Sequence, residues 1–165
     1  MNIQRICTHL MATQAHVNRT FPAQSLQAIK KAIKTSELRH RGEIRFAVEG
    51  GLDLELLLKD QSSNQRALDV FSQLHVWDTE HNNGVLIYLL LADRNVEIVA
   101  DRGIHSKVNV QDWENICREM EARFRQGDFA NGLIQGIESV TIMLESHFPA
   151  EPGRRNELSD APIVL

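Results

Sequence analysis

The sequence predicts an α/β fold: a three-layer α/β/α sandwich, with a mixed β-sheet and helices on both faces. Three observations predict it. An alternating segment, Glu43–Glu49, and a continuous apolar run over 85–92 bracket a helical stripe, the pattern of two parallel strands joined by a crossover helix. A further strand, 96–100, follows the apolar run after a short turn at Asp93, Arg94 and Asn95, which makes a hairpin and adds an antiparallel strand. Helical stripes at both ends of the chain supply cover for both faces.

Each element has its own signal. Ile3, Ile6, Cys7, Leu10 and Met11 recur at helical spacing within residues 2–15, which predicts a first helix. Pro22 suits a first helical turn and opens a second, whose stripe is Leu26, Ile29 and Ile33. In the strand 43–49, Ile44, Phe46 and Val48 alternate with Glu43, Arg45 and Glu49, and Gly50-Gly51 ends it. Residues 52–58 fit strand and helix equally. Ala67, Val70, Phe71 and Leu74 mark the crossover helix, 65–74. The unbroken run 85–92 is what a strand covered on both faces requires. Trp113, Ile116, Cys117, Met120 and Phe124 form one further helix, Gly127-Asp128 breaks it, and Leu133, Ile137, Val140 and Leu144 form the last. The expected organisation is an N-terminal helix over 1–16, one domain over 17–149 and a flexible C-terminal tail over 150–165.

Composition narrows the function classes. The chain has 165 residues and a formal net charge of −4, and its arginines around 39–45 are interleaved with Glu37, Glu43 and Glu49, so no basic stripe for nucleic acid is present. The two cysteines, Cys7 and Cys117, form no metal-binding pair and read as small buried hydrophobes. The longest apolar run is far short of the ~20 residues of a membrane span, and no signal-peptide pattern stands at the start, so a cytoplasmic address is expected. No Gly-rich phosphate loop, dinucleotide fingerprint, GxSxG or HExxH occurs, so no nucleotide cofactor is expected. The stretch from Asp78 to Gly84 begins like an EF-hand loop, but its glycine falls one place late and Leu89 stands where the bidentate Glu belongs.

The topology makes a geometric prediction. The starting ends of two parallel strands and the finishing end of their hairpin partner lie at one rim of the sheet. That rim gathers Glu43, the loop with Asp78, Glu80, His81, Asn82 and Asn83, and Asp101 with Arg102; Glu37 and His40 lie just upstream of Glu43. Such oxygen donors suit a hard cation, Ca2+ or Mg2+. The alternative is a solvated loop whose Asp and Asn residues make turns.

The middle of the chain resembles a known family. Arg66-Ala-Leu-Asp-Val-Phe71, then Trp77-Asp-Thr-Glu-His-Asn-Asn-Gly-Val-Leu-Ile87, then Asp93 to Ile104, with Phe124-Arg-Gln-Gly-Asp-Phe129 and Gly132-Leu133, are similar to the TPM-domain family. The resemblance runs from about residue 20 to 148 and implies a Rossmann-like sandwich. It implies a cleft of loops at the sheet edge that binds divalent cations in some members, and a weak acid phosphatase activity in some. Other members act as modulators or assembly factors. The sequence departs from the family pattern in three places: Asn82 stands where a carboxylate is usual before Asn83-Gly84, Asp101 replaces the first glycine of a Gly-x-Gly, and the Asp common before the first family helix is absent, with Asn18 the nearest polar residue.

Three functions follow as expectations. The first is a TPM-like binding or regulatory domain with a cation at Asp78, Glu80, Asn83 and Asp101, and with Glu37, His40, Glu43, His81, Asn82 and Arg102 around the cleft. The second is a weak metal-dependent phosphatase, in which Asp78 or Asp101 positions a metal-bound water and Arg102 binds a phosphate oxygen. The third is a structural module that binds an unknown protein partner through its N-terminal helix.

Overall fold

The structure, a computed structural model, describes residues 3–165. At its centre is the predicted βαβ unit with its hairpin. Strand β1 (Glu43–Glu49) pairs in parallel with β2 (Gly84–Leu90), and β2 pairs antiparallel with β3 (Asn95–Ala100). A two-residue strand, β4 (Ile163–Val164), joins the free edge of β1 in parallel, giving the order β3-β2-β1-β4.

Eight helices surround the sheet among the described residues: α1 (Ile3–Met11), α2 (Gln14–Thr20), α3 (Ala23–Ser36), α4 (Leu54–Leu58), α5 (Ser63–Gln73), α6 (Arg102–His105), α7 (Val110–Arg125) and α8 (Phe129–His147). The pleat sends alternate β1 and β2 side chains to opposite faces. Ile44, Phe46, Val48, Val85, Ile87 and Leu89 meet residues of α3, α7 and α8, including Ile29, Ile33, Met120, Leu133 and Leu144. Ala47, Leu86, Tyr88 and Leu90 meet the smaller layer of α1, α4 and α5 through Ile6, Leu57, Ala67 and Val70. Every residue of β1 and β2 is buried, as the apolar run 85–92 demands. The chain is therefore an α/β sandwich with a mixed, open sheet.

Four local expectations change. Cys7, read as a small buried hydrophobe, is exposed on α1. The single N-terminal helix over 2–15 is two helices, because the chain bends at Ala12 and Thr13 to bring the buried Ala12 against Gly50; residue 2 lies outside the described residues. The ambiguous segment 52–58 is mostly helix, five residues of α4. The last segment, expected to be a flexible tail, is folded onto the domain. It ends in β4, and Arg154, Glu157 and Leu158 are hydrogen-bonded to groups at the start of β1.

Candidate binding site at the sheet rim

The rim predicted from topology is stitched together by backbone. The Glu43 N–H donates to the Asn83 carbonyl at 3.4 Å, Asp101 N–H to the Gly84 carbonyl at 2.9 Å, and Gly103 N–H to the Asn82 carbonyl at 2.8 Å. Asn82 takes a left-handed backbone, φ 50°, which asparagine tolerates better than most side chains. Gly103 has no room for a Cβ, which would meet the carbonyl oxygens of His81 and Asn82. The turn before β2 and the turn after β3 are therefore held in direct contact.

Two oxygens at this junction have no hydrogen-bond partner among the described residues. Asp101 caps α6, its Oδ1 accepting the Arg102 N–H at 2.7 Å, while its Oδ2 is buried and unpartnered. Asn83 is fully buried; its N–H donates to the Thr79 hydroxyl at 3.1 Å and its Nδ2 to the Arg41 carbonyl at 3.3 Å, while its Oδ1 is buried and unpartnered. An unmet buried acceptor is costly, so such atoms are natural ligand positions.

The carboxylates upstream behave differently. Glu43 and Glu37 are both buried, and Arg154 reaches between them: its Nη2 lies 2.5 Å from a Glu43 oxygen and 3.8 Å from a Glu37 oxygen. The same guanidinium donates to the carbonyls of Glu37 and Gly42. Glu43 also accepts the N–H groups of Glu157 and Leu158. Burial, then the neighbouring Glu43 carboxylate, pushes the Glu37 carboxyl up to about 9. Burial raises Glu43 too, but the two N–H bonds and the contact with Arg154 oppose it. Glu37 therefore favours its protonated form at neutral pH, and Arg154 is set against Glu43. Beside them His40 is fully buried, its Nδ1 paired with the Gly42 carbonyl at 3.1 Å, and burial followed by the Arg154 charge lowers it to about 4. It is a neutral imidazole.

The remaining candidates are spread along the mouth. Asp78 and Glu80 are exposed. The Glu80 N–H donates to the Glu157 carboxylate at 2.9 Å, and its own carboxylate lies 3.9 Å from His81, which is half-buried. Arg102 is exposed on α6. The structure therefore joins the backbones around Asn82, Asn83 and Asp101, and separately gathers Glu37 and Glu43 on Arg154 with His40 beside them. Among the described residues no group of three or more His, Cys, Asp or Glu side chains is placed to hold a metal ion. Sequence reasoning missed Arg154 altogether. The Arg154-Arg155 pair was the only local signal, and its partner Glu43 stands 111 positions away. Beside the junction, a cavity of about 510 Å³ is lined by Arg41, Glu80, His81, Glu151, Arg154 and Arg155 among others.

The pattern of the TPM domain matches residues 17–142, most of the chain. The chain belongs to the TPM-domain family. Its fold agrees with a solved relative, the NMR structure of the BA42 protein from the psychrophilic bacterium Bizionia argentinensis, which is 31% identical over 88% of this chain and 95% of the other, with a TM-score of 0.76. No curated protein matches it. In this TPM domain no helix among the described residues is long and apolar enough to cross a membrane.

Proposed function

We propose that this TPM domain is a binding or regulatory module that takes a divalent cation, Ca2+ or Mg2+, at the junction of Asn83 and Asp101. The observation that carries the reading is the pair of buried, unpartnered oxygens, Asn83 Oδ1 and Asp101 Oδ2, on the residues just before β2 and just after β3, whose turns are joined by backbone hydrogen bonds. Hard cations take oxygen ligands, and Mg2+ in particular keeps several waters while one or two carboxylates hold it. One carboxylate and one amide fit that pattern, with Asp78 and Glu80 as outer groups that raise the local negative potential. Glu43 is not a ligand in this reading, because Arg154 already neutralises it. Binding rather than catalysis is favoured because no activated nucleophile is found at the mouth among the described residues: Cys117 sits on α7, with burial pushing its thiol up to about 12.

Calorimetric titration of chelator-stripped protein with Ca2+ and with Mg2+ tests this. Saturable binding is expected, at least about tenfold weaker in Asp101→Ala and less affected in Asp78→Ala. Absence of heat at millimolar metal, or equal binding by Asp101→Ala, removes the site.

A further inference from the structure

The final segment does more than close the rim. Its contacts have the form of a ligand in a peptide groove. Arg154 fills an acidic pocket made by Glu43, Glu37 and two carbonyls. Downstream, the domain grips backbone rather than side chains. Glu43 accepts the N–H groups of Glu157 and Leu158, the Arg45 guanidinium donates to the Ser159 carbonyl, and the Leu165 N–H donates to the Val48 carbonyl. Ile163 and Val164 pair with Ala47 and Val48 as an added edge strand. Their side chains then go to opposite faces, Ile163 and Leu158 against the α5 layer and Val164 against the α8 layer. This is β-strand addition with one charged anchor and apolar positions that give specificity.

We propose that the groove along β1 is a docking site for an extended segment of another protein, one that bears an arginine ahead of apolar strand residues, and that residues 154–164 are a displaceable internal stand-in for it. Charge complementarity picks the anchor: two buried carboxyl groups, Glu43 and Glu37, face the arginine, and removing it would leave them without their cationic partner. Because most other contacts go to backbone, many sequences satisfy them. The stand-in also fits incompletely. His40 Nε2, Arg41 Nε and Arg45 Nε, all on the domain side, are buried without partners while it is bound, so a ligand that meets them binds better. Release has a hinge. Glu151, Pro152 and Gly153 are exposed, and Gly153 has φ 79° with nothing near its Cβ position. The inference does not depend on the cation site, whose two oxygens lie outside the Arg154 pocket.

The test keeps the whole chain. A protease site is inserted between Pro152 and Gly153, the folded protein is nicked, and a labelled peptide of residues 153–165 is added. Exchange is expected to be saturable, and to be at least about tenfold weaker with R154A in the peptide. A peptide with Asn156, Ser159 and Asp160 all replaced by Ala should bind within about threefold of the native one. On the intact chain, hydrogen exchange at the Glu157, Leu158 and Leu165 amides should be faster than at Ile87, through local opening. The proposal is overturned by a nicked protein that unfolds, by a segment that does not exchange below global unfolding, or by an R154A peptide that binds equally. Dimers of intact chain formed by exchanged straps would assign the groove to a second copy and overturn it too.

Discussion

The Glu37, His40 and Glu43 group sets a pH dependence that can be worked out one residue at a time. Glu37 is raised in the folded state to about 9, so the fold favours its protonated form. Its contribution to stability is complete below the ordinary carboxylate value and is lost as pH rises through about 9. His40 works in the opposite sense. Its folded value, about 4, lies below the ordinary 6.5, so the unfolded chain binds the extra proton and stability falls as pH drops through that interval. Glu37→Gln mimics the protonated side chain and keeps an oxygen for the Ile44 N–H, which donates to Glu37 at 3.3 Å. Chemical denaturation across pH should therefore show a flatter alkaline limb in the variant than in the parent, with the acid limb retained. An unchanged alkaline slope would mean that Glu37 is ionised in the folded protein. None of this was legible in the sequence. Glu37 and Glu43 could be placed near one rim from strand direction, but their burial depends on Arg154, and a contact between residues more than a hundred positions apart leaves no periodic trace.

At the scale of elements, local spacing determines most of the sheet. The β1 and β2 patterns, the crossover helix and the hairpin each rest on spacings of two to four residues, and the ladder Glu43 to Gly84 through Glu49 to Leu90 follows once those strands are parallel. The elements that escaped are those whose form is imposed from outside. β4 has two residues and exists because β1 offers an unpaired edge. Helix α4 has five residues, too few for a stripe to declare itself. The crossover helix α5 is the element whose own sequence does most to fix it. Ser62 Oγ accepts the Gln65 N–H at 3.2 Å, and Gln65 Oε1 accepts the Ser62 N–H at 3.0 Å, a reciprocal capping box. Ser62 is exposed, so its replacement disturbs no packing. Ser62→Ala should lower stability by about 1 kcal/mol, read as a lower urea midpoint at unchanged slope. A loss several times larger would show that this turn carries tertiary contacts beyond the cap.

For the whole molecule, the two ends of the chain close the two ends of the sheet. The strap of residues 154–164 is anchored at the start of β1 and runs along its free edge as far as Val48, and α1 lies beyond the finish of β1, where open α/β sheets usually expose a crevice. Helix α1 is held there by one buried side chain. His9 Nδ1 accepts the Leu52 N–H at 2.9 Å, which places the proton on Nε2, and Nε2 donates to Asp93 at 2.9 Å. Arg5 reinforces this at 3.0 Å from the same carboxylate. The apolar stripe that predicted the helix is split by this arrangement: Ile6 is turned toward the core, while Ile3, Leu10 and Met11 are exposed. The approach needs Gly51, because a Cβ there would lie 2.5 Å from the His9 carbonyl oxygen and 3.0 Å from its Cα, both backbone atoms that cannot step aside. Gly51→Ala should therefore push α1 off the sheet end at a cost of about 1–3 kcal/mol. Amides of residues 3–11 and Leu52 should lose protection in hydrogen exchange, while β2, enclosed between both helical layers, keeps it. Loss of protection throughout β2 would instead make α1 an integral part of the cooperative core, and the finishing end of the sheet could then open only by unfolding the domain.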